Sequence, residues 1–106
     1  MTKEIFYKTI RNANNKGYHL EKSKGYKKAY TDETGATIFL YFDNLEGNWN
    51  ITEKETGATI STKFLSTLKE AKEEADKVIK TIFNIWDTDG IKKARQIHFD
   101  LLCNIA

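Results

Sequence analysis

An α+β domain built on an antiparallel meander is the fold class this sequence predicts, and three observations carry the prediction. Short alternating apolar and polar runs, separated by turn residues, fill the stretch from Gly17 to Phe64. Beyond Phe64 the apolar period lengthens from two to three and four, the spacing of an amphipathic helix. A chain of 106 residues has room for one ordinary core and not for two. The predicted architecture over residues 1–106 is a single domain: an N-terminal helix, a four- or five-stranded antiparallel meander sheet, and two C-terminal helices packed on one face.

In the first segment Ile5, Phe6, Ile10 and Ala13 recur at helical spacing, and Asn14-Asn15-Lys16-Gly17 resembles a helix end with glycine in the left-handed position. The same residues also alternate as a short strand, with Phe6, Lys8 and Ile10 opposite Ile5, Tyr7 and Thr9; helix is the preferred reading. From Gly17 on, "YHLEK", "YKKAYT", "ATIFLYF", "NWNITEK" and "ATISTKF" read as strands, with Ser23-Lys24-Gly25 as the first of the turns between them. Ile38, Leu40 and Phe42 point one way and Phe39 and Tyr41 the other, which predicts the most enclosed strand of the sheet. In the last two runs Trp49 and Ile51 oppose Asn48, Asn50 and Thr52, and Ala58, Ile60 and Thr62 oppose Thr59, Ser61 and Lys63, predicting one wet face.

Leu68, Ala71, Ala75, Val78, Ile79, Ile82 and Trp86 then form one apolar stripe of a long helix. Thr67 with Glu70 offers a capping box, with Ser66 as the rival cap. Glu73-Lys77 and Asp76-Lys80 are candidate i,i+4 pairs on its solvated side. After Asp87-Thr88-Asp89-Gly90 a second helix carries Ile91, Ala94, His98, Leu101, Leu102 and Ile105 inward, with Asp89 as its expected cap.

The six residues Glu-Thr-Gly-Ala-Thr-Ile occur twice, from Glu33 and from Glu55, 22 positions apart. Neither copy has the glycine run, following lysine and helix of a phosphate-binding loop, so turn chemistry, with Gly35 and Gly57 at positive φ, is the expectation. Asp87 and Asp89 resemble the start of a calcium loop, but the position where that loop needs its glutamate is His98. The single cysteine, Cys103, rules out an internal disulfide. Only His98, Asp100 and Cys103 gather near a catalytic vocabulary, and their spacing on one helix turns them apart. No catalytic residue, metal ligand or cofactor site is therefore expected, and the reading is non-enzymatic.

Charge is uneven. Residues 1–30 carry eight basic and two acidic side chains, and residues 31–62 one basic and six acidic. The acidic middle, with Tyr41, Asp43, Glu46, Trp49, Glu53 and Glu55, suggests a protein-contact surface of aromatic anchors and charged rim. Trp49 also suits the role of a core plug. The basic start, with Lys22, Lys24, Tyr26, Lys27, Lys28 and Tyr30, has the lysine and tyrosine mixture of a nucleic-acid surface. Fifteen of the seventeen basic residues are lysine, which disfavours bidentate base reading. No apolar run has the length of a membrane span or a signal peptide, so a cytoplasmic soluble protein is expected. The first functional expectation is a small inhibitor or accessory factor, of the kind found in phage and mobile elements, acting on a protein partner. The alternative is a nucleic-acid-binding module, and a homodimer through the sheet face is compatible with either.

Overall fold

A computed structural model describes residues 2–30, 35–60, 63–85 and 87–105. Five strands, β1 (Lys3–Arg11), β2 (Tyr18–Ala29), β3 (Thr37–Asp43), β4 (Asn48–Glu53) and β5 (Thr59–Ile60), are followed by α1 (Leu68–Ile85) and α2 (Asp89–Ile105). The strands pair antiparallel in sequence order, β1-β2-β3-β4-β5. Both helices are thus C-terminal, and the expected N-terminal helix is a strand.

β1 pairs with β2 over its whole length, from Lys3 opposite Tyr26 to Arg11 opposite Tyr18. Its apolar residues fit both periods, but Ile5, Phe6, Tyr7, Thr9 and Ile10 are β-branched or aromatic and favour a pleated surface once a partner strand is present. The Asn-Asn-Lys-Gly segment serves as a hairpin turn, with Asn15 at φ 58° and Gly17 at φ 73°. The expected turn at Ser23-Lys24-Gly25 is absent too, and the two runs around it form one twelve-residue strand. Gly25 does not reverse the chain. A Cβ there would sit 2.6 Å from the Leu40 carbonyl oxygen and 3.0 Å from the Phe6 ring, so the glycine permits one backbone to approach another.

That approach marks where the β1-β2 hairpin leaves the plane of the sheet. β2 pairs with β3 only from Tyr26–Leu40 to Ala29–Thr37, and the rest of the hairpin curls back over β3. In a flat sheet β1 and β4 would lie three strand spacings apart, about 14 Å. Here the Thr9 N–H donates to the carbonyl of Gly57, just beyond β4, at 2.9 Å. The curl stacks Phe6 on Phe39 with centroids 4.7 Å apart and sets Lys8 Nζ 4.7 Å from the Tyr41 ring centre. Phe6, Phe39 and Tyr41 become a second core cluster. The expected wet face is therefore closed: Asn50 and Thr52 are buried.

The other face of β3 and β4 buries Ile38, Leu40 and Ile51 against Ala71, Ala75, Val78 and Ile79 of α1. The capping box closes this helix as expected, with the Glu70 N–H donating to Thr67 Oγ1 at 3.1 Å and the Thr67 hydroxyl donating back to Glu70 Oε1 at 3.2 Å. Leu65 is buried just before the cap, and its carbonyl accepts from Trp49 N–H at 2.8 Å. The side chains of Ile82 and Trp86, assigned to the same stripe, lie outside the described residues. α2 does not join α1 over one stretch of sheet. It meets β2 and reaches Thr9 of β1 through His98. Asp89 lies inside its first turn, where its charge favours the helix N-terminus. Among the described residues no helix is long and apolar enough to cross a membrane.

Candidate binding groove at the open edge of the first strand

The fold disperses the residues assigned to a protein-contact surface. Tyr41 is buried under Phe6. Asp43 Oδ1 accepts from the Leu45 and Glu46 amides at 2.9 and 3.2 Å, so it holds the β3-β4 turn. Trp49 stacks on Tyr26 with centroids 6.2 Å apart and packs against the α1 core, the plug reading rather than the anchor. Glu53 is fully buried and accepts from the Glu55 and Thr56 amides, both at 2.8 Å. Burial holds its carboxyl above the ordinary 4.5, against the opposing pull of those amides. Glu46 and Glu55 are exposed, but they lie beyond opposite ends of β4, about 20 Å apart.

The nucleic-acid candidates divide as well. Lys22, Lys24, Tyr26 and Lys28 share one face of β2, Lys27 takes the other, and Tyr30 lies just beyond the end of the strand. Lys28 and Tyr30 are turned to α1, where Asp76 Oδ1 accepts from Lys28 Nζ at 2.6 Å and from the Tyr30 hydroxyl at 2.8 Å. These bonds hold the Asp76 carboxyl below its usual range, the lysine contributing most. Asp76 so faces β2 instead of forming only the expected helix-surface pair. Lys24 remains exposed and, with Lys3, borders a polar hollow of about 370 Å³ containing Phe42, Asn44 and Trp49.

An apolar concavity lies elsewhere among the described residues. A cavity of about 430 Å³ runs between β1, the turn after β4 and α2, touching Ile5, Phe6, Tyr7, Phe39, Phe99 and Leu102. Successive side chains on a strand point to opposite faces. A space touching Ile5, Phe6 and Tyr7 together therefore lies at the strand's outer edge. Ile5 is 49% and Phe99 61% exposed, so two large apolar side chains flank the opening. Lys54, Glu55 and Arg95 border it as well, with Arg95 Nη1 4.0 Å from Glu55 Oε2.

His98 closes one end of the groove. Its Nδ1 shares a 2.7 Å hydrogen bond with Thr9 Oγ1, and a Cβ on Gly57 would overlap both groups. Burial keeps the imidazole pKa below the ordinary 6.5, so the neutral ring is favoured. Asp100 is engaged by Gln96, whose Nε2 donates to it at 2.8 Å, and Cys103 is exposed; His98, Asp100 and Cys103 are not brought together. Among the described residues no cluster of His, Cys, Asp or Glu is arranged to hold a metal ion.

Comparison of the chain with protein families, curated proteins and solved structures finds no match.

Sequence reasoning missed the groove because its walls come from both ends of the chain. One signal was present: Phe99 stands outside the apolar stripe of α2, an aromatic residue on a side that had no predicted core to meet.

Proposed function

We propose that this protein is a non-enzymatic protein-interaction module, a small inhibitor or accessory factor that engages a larger partner through the groove between β1 and α2. The observation that carries the reading is the apolar cavity at an open strand edge, flanked by exposed Ile5 and Phe99. Aromatic and aliphatic side chains around a concave, partly charged opening are what a protein anchor needs for desolvation and register. The test is affinity capture from the native host with the unaltered chain and with Phe99→Glu, which adds a charge to an already exposed position. The expected result is a partner retained by the first and lost by the second. A partner retained equally by both removes the groove from the reading.

A second reading rests on the hollow beside Lys3, Lys24, Phe42, Asn44 and Trp49. Two cations next to aromatic rings suit a phosphate backbone with stacked bases. Titration with labelled single- and double-stranded DNA and RNA at low and physiological salt tests it. Salt-sensitive binding lost in a Lys3→Glu, Lys24→Glu double variant supports it, and no binding at low salt ends it.

A further inference from the structure

We infer that the groove takes its partner by strand addition: an extended segment with alternating apolar and acidic side chains pairs with the outer edge of β1. The inference rests on the groove being the protein-contact site and specifies how contact is made.

Hydrogen-bond alternation carries it. In an antiparallel ladder every second residue of a strand turns its N–H and C=O to the same neighbour. Asn12 N–H donates to the Gly17 carbonyl, extending the β1-β2 register, so the even-numbered residues of β1 face β2. The odd-numbered ones face outward, and Thr9 demonstrates it by donating to Gly57. Ile5 and Tyr7 have the same orientation, and among the described residues their outward amides and carbonyls meet no protein partner. The edge beside the cavity is thus a short run of open ladder positions. It has neither the proline nor the bulge that commonly blocks such an edge.

A strand added about 4.8 Å from β1 would send alternate side chains to opposite sides. One set enters the apolar space beside Phe6 and Phe39. The other faces the rim, where exposed Lys54 stands beside the Arg95–Glu55 pair, so acidic side chains fit there. The recess narrows to the Thr9–Gly57 contact and is bounded by α2 and the turn after β4. It suits one inserted segment better than the broad edge of a second sheet.

The test uses the full chain and a fluorescein-labelled eight-residue peptide of alternating aspartate and leucine. Two further versions are N-methylated, one at every leucine amide and the other at every aspartate amide. Saturable binding is expected, with one methylated version roughly 30-fold weaker because two ladder bonds are lost, and the other unchanged. Hydrogen exchange at the Ile5 and Tyr7 amides should slow when the peptide is bound, and a lysine-leucine repeat should bind less tightly. Absence of saturable binding, equal binding of both methylated versions, or equal binding of the lysine repeat overturns the proposal. Slowed exchange at the same amides in a concentration-dependent dimer without peptide would overturn it in favour of a second copy. If Phe99→Glu still abolishes partner capture while the peptide leaves both amides unprotected, strand addition fails and the protein-contact reading stands.

Discussion

At Gly57 the turn after β4, the side chain of Thr9 and the ring of His98 meet, and the absence of a Cβ is what lets them do so. Its counterpart in the repeated hexapeptide, Gly35, has a similar φ, 58° against 64°, yet among the described residues nothing lies close to where its Cβ would be. Gly35→Ala should cost about 1 to 2 kcal/mol, the strain of a left-handed residue. Gly57→Ala adds a steric clash to that strain and should cost about 2 to 5 kcal/mol, read from urea unfolding midpoints. A pH effect belongs to the same place. The unfolded chain protonates His98 near the ordinary 6.5 and the folded chain only at lower pH. Between those values the unfolded state binds more protons, so this group removes stability as pH falls through 6.5, and the loss levels off below the folded value. Glu53 acts oppositely: its raised pKa makes the folded state the better proton binder above 4.5, so its contribution is lost as pH rises through the folded value. His98→Gln should therefore flatten the fall in unfolding midpoint between about pH 7.5 and 5.5. An unchanged slope would show that His98 is not its source.

Among the elements, β1 and β2 show how one local pattern suits two structures. The apolar residues of β1 satisfy helical and strand spacing alike, and a glycine inside β2 has the look of a turn. Pairing decides both cases. Nine consecutive pairs hold β1 on β2, and Gly25 is kept small by the Leu40 carbonyl beside it. Gly25→Ala should destabilise by about 1 to 3 kcal/mol through overpacking. Gly90→Ala, in the first turn of α2 where a Cβ meets nothing within 4 Å among the described residues, should stabilise by about 0.5 to 1 kcal/mol. Thermal unfolding of the two variants checks this difference in sign. α1 was legible because its signals agree: a single apolar stripe, a capping box and a buried Leu65 all mark the same start. α2 was legible as a helix, but of its inner stripe only His98 is fully buried, because the surface it meets is the far half of a curled hairpin.

Across the whole molecule, the curl converts a five-stranded meander into a sheet with two interiors. One lies under α1; the other is sealed by Phe6 on Phe39 and Tyr41. Phe39→Ala should cost about 3 to 5 kcal/mol and weaken the Thr9–Gly57 closure, seen as faster amide exchange at Thr9. Unchanged exchange there would separate the closure from the aromatic stack. The alternation of β3 and β4, the long stripe of α1 and the positive φ at both repeated glycines were decided by neighbours in the chain, through side-chain periodicity and backbone sterics. The sequence by itself therefore determined the meander, the switch to helices near Phe64 and one buried face. Tertiary structure alone decided that the first segment is a strand, that the supposedly wet face is buried, that the acidic residues are dispersed and that a groove opens between β1 and α2. The first strand depends on its pairing with β2, and the second buried face and the groove depend on closure of the hairpin over the sheet, which brings residues far apart in the chain within bonding distance.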